Sequence, residues 1–230
     1  MHRSLFFVLI AVLILISTAS LCYEEESQLY LDEESPLYMK VLALPHDENS
    51  VVILVDYQND FCDEIYGSLY VKGCPAAIKS ANELIQYLPK NLPIVTTGDA
   101  HKPNDPSFAS TYDKVPNYEN LWPDHCVKGT PGIKLDKTLN VHNDTLHFPK
   151  TQYSVLTEDM KKYIENKNMT HVIIMGVAGE VCVNESIIDL INMNLNVSFH
   201  LPGIGFLDNN NQKKYVNDWI ILGAEPLNFF

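Results

Sequence analysis

Residues 51–55 read Val-Val-Ile-Leu-Val, and Asp56 follows them directly. A short, unbroken run of β-branched and aliphatic residues is typical of a parallel strand that is buried on both faces of its sheet. Similar runs follow along the chain, at residues 93–97, 146–148, 171–176 and 196–201. Segments with a helical pattern accompany them, at residues 75–88, 157–166, 181–192 and 212–222. Strands that alternate with helices predict an α/β fold with a doubly wound, mostly parallel central sheet and helices on both faces.

Reactive side chains follow three of these predicted strands. Asp56 follows the first, Asp99 and His101 follow the second, and the segment from Gly176 to Cys182 follows another. In open parallel sheets, ligands bind in the crevice outside the carboxyl ends of the strands. We therefore expect these groups to meet at one edge of the sheet.

Asp99 and His101 have the spacing of a metal site. Alternate residues of extended backbone point to the same side, so both side chains can face one ion. His125 is the candidate third ligand, and two histidines with one carboxylate leave positions open for water or substrate. The alternative is simple surface polarity, which is the commoner origin of an isolated Asp-x-His pair. Histidines without such a companion are interpreted as structural or solvated: His142, His147 and His171.

Cys182 is the candidate nucleophile. The segment from Gly176 to Cys182 leaves a predicted buried strand and enters a helix, so the thiol lies close to a helix N-terminus. That position is expected to stabilise a thiolate, and the neighbouring backbone N–H groups can form an oxyanion hole. The alternative is a buried core cysteine, but a core cysteine does not require the glycines at Gly176 and Gly179.

A cysteine nucleophile needs a base, and Asp56 at the end of the first strand is the candidate. Lys150, after the predicted strand at residues 146–148, is the candidate cation that tunes Asp56 and stabilises developing negative charge. The alternatives are a turn or capping role for Asp56 and a solvated surface position for Lys150.

The N-terminus has the three-part pattern of a secretory signal peptide, over residues 1–22. Arg3 gives a basic start, an apolar run follows at residues 5–16, and small residues come next. An uncleaved signal anchor fits less well, because a membrane span needs roughly 20 apolar residues. We therefore expect a secreted protein with no stable membrane span after signal cleavage, an acidic arm at residues 23–50, and one catalytic domain at residues 51–230.

Secretion affects the interpretation of the cysteines and asparagines. Cys62 and Cys74 can pair across a short loop in an oxidising compartment, although the sequence leaves the connectivity open. N-glycosylation sequons occur at Asn143, Asn168, Asn184 and Asn196. Asn143 and Asn168 fall in polar connections and are the candidate glycosylation sites. The other two fall inside predicted regular structure and are interpreted as chance matches.

The charge of the chain limits the class of partner. The formal net charge is -13 over 230 residues, and 46% of the residues are hydrophobic, as in an ordinary globular protein. An acidic surface repels phosphate groups, which argues against nucleic acid and anionic membranes as partners. A small neutral substrate fits better, and a homo-oligomer stays open.

Four motifs together resemble those of the isochorismatase-like hydrolase superfamily, and within it the nicotinamidases. They are Val-Asp-Tyr-Gln-Asn-Asp-Phe-Cys at residues 55–62, Gly-Asp-Ala-His at 98–101 with Ser-Phe-Ala at 107–109, Leu-Trp-Pro-Asp-His-Cys-Val-Lys-Gly-Thr-Pro-Gly at 121–132, and the segment at 176–183. The third motif is the most specific, because it resembles nicotinamidases and is not expected in the metal-free isochorismatase branch. The resemblance runs from about Val51 to Ala224.

This resemblance implies a role for each site residue. The implied catalytic triad is Asp56, Lys150 and Cys182. The implied ligands of one divalent metal ion are Asp99, His101 and His125, with zinc as the expected metal and iron or manganese as alternatives. The implied substrate-binding residues are Phe61, Trp122, Val177 and Ala178. The backbone N–H groups of Ala178 and Cys182 would form the oxyanion hole, and the Val177–Ala178 peptide bond would be cis.

The implied reaction is the metal-assisted hydrolysis of nicotinamide to nicotinic acid and ammonia through a Cys182 thioester. One alternative is a hydrolase of another small amide or of an isochorismatase-like substrate on the same fold, which would not need His125. Another is a secreted, non-catalytic binding protein on this scaffold. We would expect such a binding protein to have lost at least one of the six triad and metal positions, and all six are present.

Overall fold

The computed structural model describes residues 49–227. The predicted signal peptide, with Cys22 at its edge, lies outside the described residues, as does the predicted acidic arm up to residue 48. Ser50, which we assigned to the arm, is instead the first residue of a buried strand. No helix within residues 49–227 is both long and apolar enough to cross a membrane.

Six parallel strands form one sheet in the order β3-β2-β1-β4-β5-β6. Their bounds are Ser50–Val55 (β1), Ile94–Asp99 (β2), Leu146–Lys150 (β3), His171–Val177 (β4), Asn196–Gly205 (β5) and Glu225–Pro226 (β6). All six residues of β1 are buried, which is the burial expected for a central strand covered on both faces. The five predicted strands and the parallel sheet are confirmed. β6 was missed, because two residues including a proline carry no strand pattern.

The helices are Asn59–Cys62 (α1), Cys74–Tyr87 (α2), Glu158–Asn166 (α3), Asn184–Asn192 (α4) and Gln212–Leu222 (α5). α2 to α5 were predicted, whereas α1 is a single turn and too short to show a helical period. The sheet grows from β1 through β2 in one direction and through β4 and β5 in the other. Because parallel crossovers are right-handed, connections in opposite directions place their helices on opposite faces.

β1 lies at the point where the strand order reverses, between β2 and β4. Two close approaches determine the shape of this edge of the sheet. Gly176 at the end of β4 pairs with Val55 and has φ of +149°, and a Cβ there would overlap the Val55 backbone. Lys150 pairs directly with Asp99, so the last residues of β3 and β2 are adjacent. The carboxyl ends of four strands therefore meet where ligands bind in such sheets.

Candidate active site and metal site

A buried charge cluster joins the three predicted catalytic residues. The Lys150 Nζ lies 2.7 Å from Asp56 Oδ2 and 2.5 Å from Asp99 Oδ1. It also donates a hydrogen bond to Cys182 Sγ at 3.4 Å. Lys150 is only 2% exposed, so the interpretation of this lysine as a solvated surface residue is wrong.

The charges in this cluster set the ionisation of each group. Burial by itself would lower the pKa of Lys150, but Asp56 and Asp99 raise it well above its usual 10.5, so the amine stays protonated. Burial raises the pKa of Asp56 to about 6, against the opposing attraction of Lys150. Burial also acts to raise the pKa of Asp99, but Lys150 and the neighbouring histidines hold it below its ordinary value. Asp56 is therefore the carboxylate of the pair that can take up a proton near neutral pH.

Cys182 lies in a π-helical turn, Gly179–Val183, that connects β4 to α4. This turn packs tightly, since a Cβ at Gly179 would come within 2.5 Å of the Phe206 ring. Burial raises the pKa of Cys182 well above 9, with Asp56 and Asp99 adding to the rise and Lys150 opposing it. The stabilisation of a thiolate that we expected near a helix N-terminus is thus opposed by desolvation and by two carboxylates, which favour the thiol. Cys182 therefore rests as a thiol, and its sulfur lies close to the Asp56 carboxylate.

The backbone near Asp56 and Cys182 has two unusual conformations. Asp56 has φ of +55°, and Thr97 Oγ1 donates a hydrogen bond to Asp56 Oδ1 at 2.8 Å. The Val177–Ala178 peptide bond is cis, as predicted. Ala178 and Cys182, the two residues predicted to supply the oxyanion hole, both line the same cavity.

The three predicted metal ligands converge beside this cluster. Asp99 Oδ2 lies 3.7 Å from His101 Nε2 and 3.6 Å from His125 Nε2, and all three side chains are buried. Ligand atoms bound at about 2.0–2.2 Å around one tetrahedral ion are separated by a similar distance, roughly 3.4 Å. The interpretation of Asp99 and His101 as surface polarity is therefore wrong.

The second ring nitrogen of each histidine, Nδ1, also supports a metal site here. His125 Nδ1 lies 2.7 Å from the Pro123 carbonyl oxygen, to which it can only donate, so the Nε2 lone pair faces the other ligands. His101 Nδ1 lies 3.1 Å from Asp105 Oδ2. Metal-binding histidines almost always donate their second N–H to a carbonyl or a carboxylate, as His125 does to Pro123, and His101 has a carboxylate beside its second ring nitrogen. Asp99, His101 and His125 thus fit a divalent metal ion.

Asp56, Asp99 and Cys182 also converge closely enough to hold an ion. The Lys150 ammonium already lies within 3.4 Å of an atom of each of the three. A second cation at that point would be repelled by Lys150. These three residues are therefore a salt-bridged cluster and not a second metal site.

A cavity of about 390 Å³ opens onto Cys182 and onto the three predicted metal ligands. Phe61, Trp122 and Ala178 line it as predicted. Val177 does not, and its assignment to the substrate-binding residues is corrected. Its side chain is fully buried and lies against Gly205, its partner in β5, where a Cβ would come within 2.9 Å of Val177 Cγ1.

The cavity wall includes residues that the sequence analysis missed. They lie directly after β3 or on the loops around the mouth: Leu69, Val71, Ser107, Thr151, Gln152, Tyr153, Val181 and Leu207. The Trp122 Nε1–H donates a hydrogen bond to the Tyr153 hydroxyl at 3.0 Å, so Tyr153 orients the indole. The position of residues 151–153 after a strand end was the one signal available for them.

Other residues singled out from the sequence have the following positions. Cys62 and Cys74 form a disulfide between α1 and α2, with their Cα atoms 5.1 Å apart. Asn143 and Asn168 lie in exposed turns. Asn184 accepts a hydrogen bond from Trp219 Nε1 at 3.0 Å, so its side chain is engaged inside the fold.

Comparison with known proteins gives concordant results. Residues 50–217 match the sequence profile of the isochorismatase domain. The chain is similar to the nicotinamidase/pyrazinamidase of Mycobacterium tuberculosis, with 29% identity over 63% of this chain and 80% of that protein. It is also similar to the nicotinamidase of Saccharomyces cerevisiae, with 32% identity over 60% of this chain and 79% of that protein.

A solved structure extends the comparison to three dimensions. The crystal structure of the pyrazinamidase of Pyrococcus horikoshii in complex with zinc matches 79% of this chain and 99% of its own. The TM-score is 0.70 and the sequence identity is 25%. The shared fold thus covers nearly all of that enzyme.

Proposed function

The chain belongs to the isochorismatase domain family, and on that premise we propose that it is a nicotinamidase, which hydrolyses nicotinamide to nicotinic acid and ammonia. One observation carries the proposal. A cysteine, a lysine and an aspartate form a buried cluster directly beside a 2-His-1-carboxylate set, and both open onto one small cavity. The similarity to nicotinamidases of several organisms supports the same substrate.

In the first half of the reaction, Asp56 accepts the thiol proton of Cys182, and the sulfur attacks the carboxamide carbon of the substrate. The backbone N–H groups of Ala178 and Cys182 stabilise the negative charge that develops on the carboxamide oxygen. The C–N bond then breaks, and Asp56 returns its proton to the leaving nitrogen, which departs as ammonia. A thioester between the acyl group and Cys182 remains.

In the second half, Asp56 takes a proton from water, whose oxygen attacks the thioester carbon. The C–S bond breaks, Asp56 passes this proton to the Cys182 sulfur, and nicotinic acid leaves. Lys150 stays protonated throughout, because its pKa lies well above 10.5. Its charge compensates the carboxylates on either side of it.

The metal ion would be held by Asp99, His101 and His125, and we propose zinc, which these ligands suit and which the Pyrococcus relative contains. When bound, the ion supplies a Lewis acid for the pyridine nitrogen or for water. Phe61 and Trp122 would enclose the aromatic ring of the substrate, with Ala178 placed beside its carboxamide.

We further propose that the protein is secreted and N-glycosylated. The signal-peptide pattern of residues 1–22 supports secretion, and the Cys62–Cys74 disulfide fits an oxidising compartment. The exposed turns at Asn143 and Asn168 can accept glycans. The N-terminal sequence of the protein recovered from culture medium tests the first point, and glycosidase treatment tests the second. An intact Met1 on a cytosolic protein would overturn both.

The decisive experiment is ammonia release from nicotinamide by the purified domain, beside Cys182→Ala and before and after metal chelation. We expect turnover that disappears in the variant and after chelation and that returns when zinc is restored. No turnover by the zinc-loaded protein would overturn the nicotinamidase proposal. Activity on another small amide would then favour the related hydrolase, and tight nicotinamide binding without ammonia would favour the binding protein.

A further inference from the structure

Two polar side chains at the start of α1 make hydrogen bonds to the backbone of the segments that carry the predicted metal ligands, although neither is a ligand itself. Gln58 immediately precedes α1 and is fully buried, and Asp60 lies in its first turn and is 9% exposed. We propose that Gln58 and Asp60 are positioning residues that hold Asp99, His101 and His125 in place to bind the metal ion. The inference rests on the metal site of the proposed function.

Gln58 holds the backbone of Asp99 at two points. Its Oε1 accepts a hydrogen bond from the Asp99 N–H at 2.7 Å, and its Nε2 donates to the Asp99 carbonyl at 2.8 Å. The same Nε2 donates to the Ile133 carbonyl at 2.8 Å. Both peptide groups of Asp99 are thereby prevented from rotating, which orients the carboxylate that faces His101 and His125.

The fit around Gln58 is tight. A Cβ at Gly98 would lie only 2.9 Å from the Gln58 amide, so a larger residue at this position would have to displace that amide. The amide cannot reverse its orientation without placing its N–H₂ against the Asp99 N–H and its oxygen against two carbonyls. Gln58 therefore supplies a specific donor and acceptor pattern, which an apolar side chain of the same length lacks.

Asp60 holds the segment of His125. Its Oδ2 accepts a hydrogen bond from the backbone N–H of Cys126 at 2.6 Å, and its Oδ1 accepts one from Ser68 N–H at 3.3 Å. Cys126 has φ of +46°, a conformation that a residue other than glycine keeps only where surrounding contacts impose it. The charged hydrogen bond from Asp60 is one such contact, on the residue next to the metal ligand.

Cys126 also links the segments of the two histidines. The Cys126 carbonyl accepts a hydrogen bond from the His101 N–H at 3.1 Å. Asp60 thus fixes a residue that follows His125 and contacts His101. Gly132 provides the space, because a Cβ there would overlap the Asp60 carboxylate.

The test compares Gln58→Met and Asp60→Asn with the wild-type protein and with Asp63→Asn. Asp63 lies next to α1 and accepts hydrogen bonds from Ile65 and Tyr66 N–H groups in an exposed loop, away from the ligands. Zinc affinity is measured by competition with a chromophoric chelator, without substrate. Urea unfolding of the chelated proteins reports separately on the fold. Ammonia release in excess zinc shows whether activity is recovered.

We expect zinc to bind roughly ten-fold or more weakly to Gln58→Met and Asp60→Asn, and unchanged to Asp63→Asn. Excess zinc should restore most of the activity of both variants. Wild-type zinc affinity in either folded variant would overturn the proposal, as would failure of both chelated variants to fold, which would assign these side chains to the fold itself. A wild-type protein that turns over nicotinamide but binds no zinc would also overturn it while leaving the amidase reaction intact.

Discussion

At the scale of single residues, the main feature of the site is an ammonium between two carboxylates from neighbouring strands. Lys150 contacts Asp56 and Asp99 within 2.7 Å, and none of the three is more than 5% exposed. A buried carboxylate is stable only with compensating charge or hydrogen bonds. Lys150 therefore serves the fold as well as the reaction.

Replacement of Lys150 by methionine tests this role. The change leaves two buried carboxylates without their cation, so we expect the free energy of unfolding to fall by about 3–5 kcal/mol. Ammonia release should be lost as well. Urea denaturation measures the first quantity. Lys161→Met is the matched control, because Lys161 pairs with Glu158 at the surface and its loss should cost about 1 kcal/mol or less. Equal effects of the two substitutions would contradict the assignment.

Tyr153 acts on the substrate cavity through Trp122. Its hydroxyl accepts the indole hydrogen bond at 3.0 Å, so Tyr153→Phe releases the orientation of the indole. A hydrogen bond worth about 0.5–1.5 kcal/mol predicts a rise in the KM for nicotinamide of roughly two- to ten-fold, with little change in kcat. Tyr66→Phe, at an 83% exposed position, is the control. A loss in kcat with unchanged KM would count against this role.

At the scale of elements, the connection from β4 to α4 differs from the helix predicted over residues 181–192. The helical backbone begins at Gly179 as a π-helical turn and becomes α-helical only at Asn184. The hydrophobic period of α4 was readable from the sequence. The wide turn was not, since a five-residue π-helical turn is too short to show a hydrophobic period of its own.

His200 joins β5 to α2 and should make stability depend on pH. Its ring is buried and its Nε2 lies 2.9 Å from Ser80 Oγ. Burial lowers the pKa of His200 from 6.5 to about 4. The unfolded chain therefore binds the proton more readily, and the stabilisation present above pH 6.5 is lost as the pH falls towards 4, by up to about 3 kcal/mol.

The free energy of unfolding in urea, measured from pH 7.5 to 4, checks this expectation. His200→Gln keeps hydrogen-bonding capacity but cannot titrate, so its stability should fall less steeply than that of the wild type over this range. His142→Gln, at an exposed position, should follow the wild-type curve. Parallel curves for wild type and His200→Gln would refute the role of His200.

At the scale of the whole molecule, the site is assembled from four strand ends and from a loop more than 20 residues beyond β2. A metal ion that binds these distant segments only when they are folded must stabilise the whole domain. We expect free zinc at 100 times its dissociation constant to raise the free energy of unfolding by about 2.7 kcal/mol relative to the chelated protein. His125→Ala should show much less of this increase.

Thermal unfolding with and without chelator gives this measurement. Asp144→Ala, which alters a carboxylate on an exposed turn outside the metal set, is the control and should keep the zinc response. An identical midpoint with and without zinc in the wild type would show that the three ligands do not form a working metal site.

The sequence by itself determined the parallel α/β fold and the positions of the reactive residues. Both depend on local patterns: buried strands appear as short apolar runs, and the polar residues that end them must lie at the carboxyl edge of the sheet. The motifs around Asp56, Asp99, His125 and Cys182 then specified the family.

The tertiary structure alone decided how those residues act together. The register that pairs Asp99 with Lys150 places the lysine between two carboxylates, and burial then turns Cys182 into a resting thiol. Packing between distant segments decides that Tyr153 lines the cavity and that Val177 does not. Register and burial depend on contacts between residues far apart in the chain, which periodicity and spacing do not encode.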